Sequence, residues 1–220
     1  MVIGVLCSLM GCQAPVQPPI DLRVNELVAP VGLDAPQPRL GWRWEEGTPL
    51  RQTAYQLLVA SEPDLLVPGK ADYWDSGQVP SAQSQQIEYG GLALPPAKKV
   101  YWQVRSWDQA GQASAWSAPA SWTTGFWTES QWQGHWISVA SPPDSTAAFR
   151  LRRSLWLDEV PASAQVFFTG LGYGELFING RKVGDRVMDP VFSDYEETVY
   201  YHGAEVAEWL QPGENVLGVL

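Results

Sequence analysis

The chain has 220 residues, with 14 Lys plus Arg against 24 Asp plus Glu and a formal net charge of −10. No basic field is available to neutralise phosphates, which excludes nucleic acid as a partner on charge grounds. A share of 45% hydrophobic and 17% charged residues is that of a core-forming chain, and 18 Pro, 20 Gly and 12 Trp argue for β-modules over helices.

Met1 to Met10 is mostly apolar. The run is shorter than the roughly 20 residues that span a bilayer but has the length of a signal-peptide core. Leu9-Met10-Gly11-Cys12 resembles a bacterial lipobox, in which Cys12 is lipidated and anchors the chain to a membrane. The competing reading is an apolar N-terminal strand with an incidental cysteine. Gln13 to Pro19 reads as an extended tether, because prolines fix φ and leave the backbone unpaired. Residues 1–19 are therefore expected to be leader and tether of an exported outer-membrane lipoprotein, periplasmic or extracellular. Cys7 and Cys12 are the only cysteines, so the folded region holds no internal disulfide and no thiolate metal site.

Residues 20–125 show short strand-like runs between turn signals, the pattern of a β-sandwich. Arg39 to Trp44 alternates, placing Leu40, Trp42 and Trp44 on one face, and Thr53 to Ala60 is the next strand. Ser61-Glu62-Pro63-Asp64 caps a single helical turn ahead of Trp74-Asp75-Ser76-Gly77. Gln85 to Tyr89 forms another run, Val100 to Asp108 a long strand, and Asp108 to Gly111 a turn leading to a final strand at Ser121 to Thr124. Val100-x-Trp102-x-Val104-x-Ser106-x-Asp108-x-x-Gly111-x-x-Ser114-x-Trp116-Ser117 resembles the last two strands of a fibronectin type III domain, with Val100 where a tyrosine usually stands.

A Trp-rich linker is expected over residues 126–147, with Gly125 and Gly134 permitting turns. Residues 148–220 are β again, with strands at Phe149 to Leu157 and Ala164 to Thr169. In Glu175 to Gly184, Asn179-Gly180 supplies two φ > 0 residues between alternating apolar positions, which predicts a two-residue hairpin. Val206 to Leu210 reads as one amphipathic turn, Gln211 to Asn215 as a loop, and Val216 to Leu220 as the start of a strand. That strand has no partner after it, so the sequence is expected to be cut from a longer one.

Catalytic constellations are sparse. His135 and His202 lie in different regions, and no Gly-x-Ser-x-Gly elbow, phosphate loop or dinucleotide fingerprint occurs. Gly170 to Gly174 is flanked by strands, with no helix to aim at an anion. Asp185, Asp189, Asp194, Glu196 and Glu197 could serve as glycosidase carboxylates or hold a hard cation, but a solvated loop face is the preferred reading. Trp faces stack on sugar rings, yet Trp42, Trp44, Trp102 and Trp107 fall at strand-alternation positions and are assigned to the core or a domain junction.

Taken in order, several segments resemble the N-terminal part of bacterial α-L-rhamnosidases of glycoside hydrolase family 78. They are Pro38 to Trp42, Gln52 to Ser61, Trp74 to Gly77, Val100 to Val104, Trp107-Asp108-x-x-Gly111-x-x-Ser114-x-Trp116-Ser117 and Trp132-x-x-x-Trp136-Ile137. Thr169 to Gly180 with Val183-Gly184-Asp185, and Pro190-x-x-x-x-Tyr195, complete the set. The resemblance implies an all-β chain: a fibronectin III or immunoglobulin-like sandwich, then an incomplete jelly-roll-like (galactose-binding-like) sandwich that contributes to substrate recognition. It also implies an α/α-barrel beyond this chain that hydrolyses terminal α-L-rhamnosyl residues with inversion, so no catalytic residue falls here and these 220 residues alone are inactive.

Rhamnose-containing glycans and the C-terminal catalytic domains are the implied partners, and no cofactor is required. Asn179, Asp185, Asp189 and Tyr195 are the candidates to pair with sugar hydroxyls or hold Ca²⁺, while Tyr173 and Trp209 are assigned to core or interface. Two rival readings are a cell-surface carbohydrate-binding or adhesion lipoprotein without a catalytic partner, and a β-galactosidase-like enzyme.

Overall fold

The computed structural model describes residues 15–46, 51–139 and 149–220. The apolar leader, Cys7, Cys12 and the first tether residues lie outside the described residues. No α-helix occurs among the described residues, as the composition implies. The strands are β1 (Ile20–Val24), β2 (Val31–Leu33), β3 (Arg39–Arg43), β4 (Ala54–Ala60), β5 (Trp74–Asp75), β6 (Ile87–Glu88), β7 (Lys99–Trp107) and β8 (Ala120–Thr124). They continue with β9 (Leu151–Leu157), β10 (Gln165–Thr169), β11 (Leu176–Ile178), β12 (Arg181–Lys182), β13 (Tyr201–Glu205) and β14 (Gly213–Val219). Single 3₁₀ turns at Pro63–Leu65 and Ala207–Trp209 stand where one helical turn was predicted, and a third lies at Glu129–Gln131.

Two compact units make up the structure. The first comprises the described residues up to Glu26 with Arg39–Leu92 and Tyr101–Ala120, and the second Leu27–Pro38, Ala93–Val100 and Ser121–Leu220. The first unit is a sandwich. One layer is β1-β3-β6, antiparallel throughout. In the other, β4 pairs antiparallel with β5 and with the Tyr101–Trp107 stretch of β7. Trp42 meets Tyr55 edge-on across the layers, ring centroids 5.3 Å apart, and Leu40, Trp42, Leu57, Val59, Trp102 and Val104 are wholly buried. Trp44 and Trp107 are only half-buried, because β3 ends at Arg43 and Trp107 is the last residue of β7.

The turn residues of this unit each close a backbone group. Asp108 accepts hydrogen bonds from the Ala110 and Gln112 N–H groups, and Gly111 adopts φ +76, closed to most side chains. The Ser114 and Ser117 hydroxyls accept from Ser106 and Val104 N–H, which explains the serine spacing of the fibronectin-like pattern. Asp75 accepts from the Gln56 side chain and from Gly69 and Gly77 N–H, fixing the Trp-Asp-Ser-Gly run beside β4.

In the second unit the four-stranded sheet β12-β11-β14-β9 faces the antiparallel pair β10-β13. Leu176, Ile178, Val183 and Val206 are buried between them, with Val166, Phe168, Ala204, Trp209, Leu217 and Val219 packed around. Strand alternation turns Phe167 to the opposite face from Val166 and Phe168. There Phe167, Phe126, Trp132 and Tyr201 form an aromatic cluster with centroids 4.9 to 6.1 Å apart. The Tyr201 hydroxyl accepts the Phe126 N–H at 2.9 Å. Gly203 belongs to the same contact: a Cβ there would sit 2.8 Å from Val31 Cγ1 and 3.1 Å from Phe167 Cε1. Residues 27–38 and 126–132 are thereby packed into the second unit.

The Asn179-Gly180 hairpin forms as predicted, with φ of +51 and +79 at the two turn residues and Ile178 opposite Arg181. The loop predicted over Gln211 to Asn215 is shorter, since β14 starts at Gly213, which pairs with Leu157. Gly213 at φ +90 lets the strand begin directly after Pro212.

Candidate functional site

The four candidates do not gather at one point. Asn179 sits at the hairpin turn, and its side chain is fully engaged within the fold. Its Nδ2 donates to the Trp209 carbonyl and to Asn215 Oδ1, each at 2.9 Å, while its Oδ1 accepts the Val216 N–H at 2.9 Å. Asp185 is exposed on the loop after the hairpin.

Asp189 belongs to a cleft of about 300 Å³ lined by Tyr173, Gly174, Glu175, Arg186, Met188, Asp189 and Leu220, and Tyr195 is tied to one of the loops that form it. Two bonds draw the loop after β10 against the loop after β12. The Asp189 main-chain carbonyl accepts the Gly174 N–H at 2.8 Å, and the Tyr195 hydroxyl accepts the Gly172 N–H at 2.8 Å. Gly172, at φ +114, allows its loop to turn there. Tyr173, assigned from sequence to core or interface, is exposed and lines the cleft, because these bonds hold its loop outside the core of the sandwich.

Asp189 is the most enclosed side chain of the cleft. Its Oδ2 lies 2.5 Å from His202 Nδ1 on β13 and its Oδ1 3.8 Å from Arg186 Nη1. His202 is nearly enclosed, with the Phe168 ring edge-on at 5.6 Å. Burial pushes its pKa below the ordinary 6.5; Asp189 opposes that shift and the Arg186 charge adds to it. The imidazole is therefore neutral at pH 7. At the other side of the cleft, Glu175 pairs with Lys182 at 2.5 Å. The cleft thus offers an exposed aromatic face, a guanidinium and an enclosed carboxylate, a set able to hold a polyhydroxylated ring.

Sequence reading missed His202, Arg186 and Glu175 because each gains meaning only from a partner that the fold supplies. His202 lies 13 positions after Asp189 and no periodic spacing links them. Among the described residues no group of three or more His, Cys, Asp or Glu is placed to hold a metal ion.

The lowered pKa of His202 carries a sign. The unfolded chain takes up this proton at higher pH than the folded one, so stability is full above about pH 6.5 and falls as pH drops through that value. Urea midpoints measured from about pH 7.5 down to 5.5 are expected to decline, and His202→Gln to flatten the decline. An unchanged slope in the variant would rule out His202 as its source. Glu205 acts lower on the scale. Burial raises its pKa, but the Ala164 N–H, the Gln165 amide and Lys99 outweigh that and hold it below its ordinary 4.5.

The family model described as "Rha78A-like, N-terminal immunoglobulin domain" matches residues 19–128, and that described as "Alpha-L-rhamnosidase N-terminal domain" matches residues 159–220. An α-L-rhamnosidase of Formosa agariphila is 32% identical over the whole chain, which spans 26% of that relative. Among solved structures, the α-L-rhamnosidase from Dictyoglumus thermophilum superposes with a TM-score of 0.80 at 32% identity, over 93% of this chain and 25% of that one. The Streptomyces avermitilis α-L-rhamnosidase complexed with L-rhamnose gives a TM-score of 0.52 at 30% identity, over 92% of this chain and 21% of that one. The chain therefore spans about a quarter of the length of the relatives it matches.

Proposed function

Because the chain belongs to the Rha78A-like family, as an N-terminal immunoglobulin domain joined to an α-L-rhamnosidase N-terminal domain, we propose that it is the accessory region of an exported α-L-rhamnosidase. The observation that carries this reading is that the two family matches follow one another on one chain, over residues 19–128 and 159–220. The whole enzyme hydrolyses terminal α-L-rhamnosyl residues with inversion. One carboxylic acid protonates the glycosidic oxygen while a second carboxylate, set apart from it, activates water on the opposite face of the sugar. Those two groups lie outside these 220 residues. Export rests on the lipobox-like Leu9 to Cys12 run, which also supplies the membrane anchor.

The part played by this chain is recognition of rhamnose-containing substrates. The cleft supports it: the Tyr173 ring offers a stacking face, Arg186 and Asp189 offer donors and an acceptor, and Glu175 closes one wall. Asp189, Asp185 and Tyr195 remain the sequence-derived residues of this region, while Asn179 would have to give up internal hydrogen bonds to meet a sugar. The test is release of rhamnose from an aryl α-L-rhamnoside by the polypeptide translated from the complete reading frame. Tyr173→Ala and Arg186→Ala in that polypeptide are expected to raise KM with little change in kcat, since they remove uniform binding and no reacting group. A fall in kcat at unchanged KM would contradict the recognition role.

A further inference from the structure

We propose that the apolar edge formed by Leu171, Met188, Val191 and Phe192 is the seat of the polypeptide that follows Leu220 in a rhamnosidase-length chain. This rests on the accessory-region reading and names the surface through which the region joins the rest of the enzyme. Met188 and Phe192 are each 68% exposed, Val191 62% and Leu171 60%. Single exposed apolar residues need no explanation, but a contiguous set of large ones marks an interaction surface.

Contiguity follows from the bonds that join the two loops. Gly172 is tied to Tyr195, Gly174 to Asp189, and Phe192 stands edge-on to Tyr195 at 5.2 Å. The backbone is held in place to present these side chains: Met188 adopts φ +54, which is uncommon for a residue with a Cβ, and the carbonyl of the adjacent Asp189 accepts the Gly174 N–H.

Two observations identify the occupant. The relatives have about three-quarters of their length outside the span matched here, since the chain covers 26% of the Formosa agariphila relative and 25% of the solved structure that superposes with a TM-score of 0.80. Leu220 lies beside this patch. Leu220 exchanges two backbone hydrogen bonds with Glu175, at 2.9 and 3.0 Å, and lines the cleft beside Tyr173 and Met188. Asp185, Asp194, Glu196 and Glu197 lie on the same loop, so this surface is apolar at its centre and acidic at its rim, and the segment that covers it is apolar with a basic rim. Seated there, it also walls the open side of the cleft, placing the recognition site at a junction between domains.

Hydroxyl-radical footprinting read by mass spectrometry tests this on the polypeptide from the complete reading frame and on the 220-residue chain. Met188, Phe192 and Leu171 are expected to oxidise readily in the shorter chain and to lose that labelling in the longer one. Leu92, exposed in the first unit, serves as the reference and stays labelled in both. Phe192→Asp in the longer polypeptide is expected to restore labelling at Met188 and Leu171. Equal labelling of the patch in both forms would overturn the proposal. So would protection in the shorter chain that rises with protein concentration, which would assign the face to a second copy. Rhamnoside hydrolysis measured on the same samples separates the two readings: an active enzyme with a labelled patch overturns the docking surface alone, and an inactive one with a protected patch overturns the enzyme reading alone.

Discussion

Asn215→Ala is expected to destabilise the second unit by about 3 kcal/mol, from the loss of several buried hydrogen bonds worth roughly 1 kcal/mol each. Asn215 is completely buried at the start of β14. Its Nδ2 donates to the Gln211 and Gly213 carbonyls, and its Oδ1 accepts from the Gln211 N–H and from Asn179 Nδ2. Asn179 in turn receives the Val216 N–H, so two asparagines tie the hairpin turn to the strand beside it and to the 3₁₀ turn at Trp209. Asn215→Asp separates bonding from shape. The carboxylate fills the same space but faces the two carbonyls with charge, so it is expected to be no more stable than the alanine variant. Urea unfolding of both variants is the measurement, and an aspartate variant close to the unsubstituted protein would show that packing alone matters. Because Asn179 and Asn215 share a bond, the double alanine variant should cost less than the sum of the single ones.

Trp42→Ala is expected to cost the first unit about 3–5 kcal/mol, the range for emptying an aromatic site in a packed core. Trp42 is wholly buried, meets Tyr55 across the sandwich and donates its indole N–H to Gln52 Oε1 at 3.3 Å. Gln52 also donates to the Ser81 and Gln83 carbonyls, so the indole is the apolar end of a bracket between β3 and the segment that leads to β6. Trp42→Phe keeps an aromatic ring against Tyr55 and leaves the Gln52 oxygen without that donor; it is expected to fall between the alanine variant and the unsubstituted protein. Urea midpoints order the three, and an alanine variant within about 1 kcal/mol of the original would show that the layers repack without this ring.

Both predictions concern contacts that sequence reading reached unevenly. The Asn179-Gly180 hairpin was legible because its cause is local, two φ > 0 positions between alternating apolar residues. Strands β4 and β7 and the Asp108-to-Gly111 turn were legible for the same reason. Asn215 read as a loop residue, since its role depends on Asn179, 36 positions earlier. Phe167 and Phe168 gave no sign of facing two different packing partners. That division exists only once β2 and the Phe126 to Trp132 segment lie on the outer face of β10-β13.

The cleft followed the same rule. Asp189 and Tyr195 were singled out as polar groups after the hairpin; Asp189 lines the cleft, whereas Tyr195 does not and reaches the Gly172 N–H instead. Their contacts are internal: the Asp189 carboxylate abuts the His202 ring, and the Tyr195 hydroxyl holds the Gly172 loop. Asn179, chosen for the same reason, is committed to the turn and to Asn215. The exposed ring of Tyr173 could not be read from a Gly-rich run, because its direction is set by hydrogen bonds from the two flanking glycines. Chemistry that depends on a partner distant in sequence stayed hidden, whereas turn chemistry did not.

The central claim is that these residues serve a rhamnosidase whose chemistry lies elsewhere in the polypeptide. Its most direct test is the rate of rhamnose release from an aryl α-L-rhamnoside, measured side by side on the product of the complete reading frame and on the 220-residue chain, with proton NMR identifying the first anomer formed. The account predicts hydrolysis with inverted anomeric configuration by the longer product and none by the shorter one. Hydrolysis by the 220 residues alone, or none by the longer product, would contradict it.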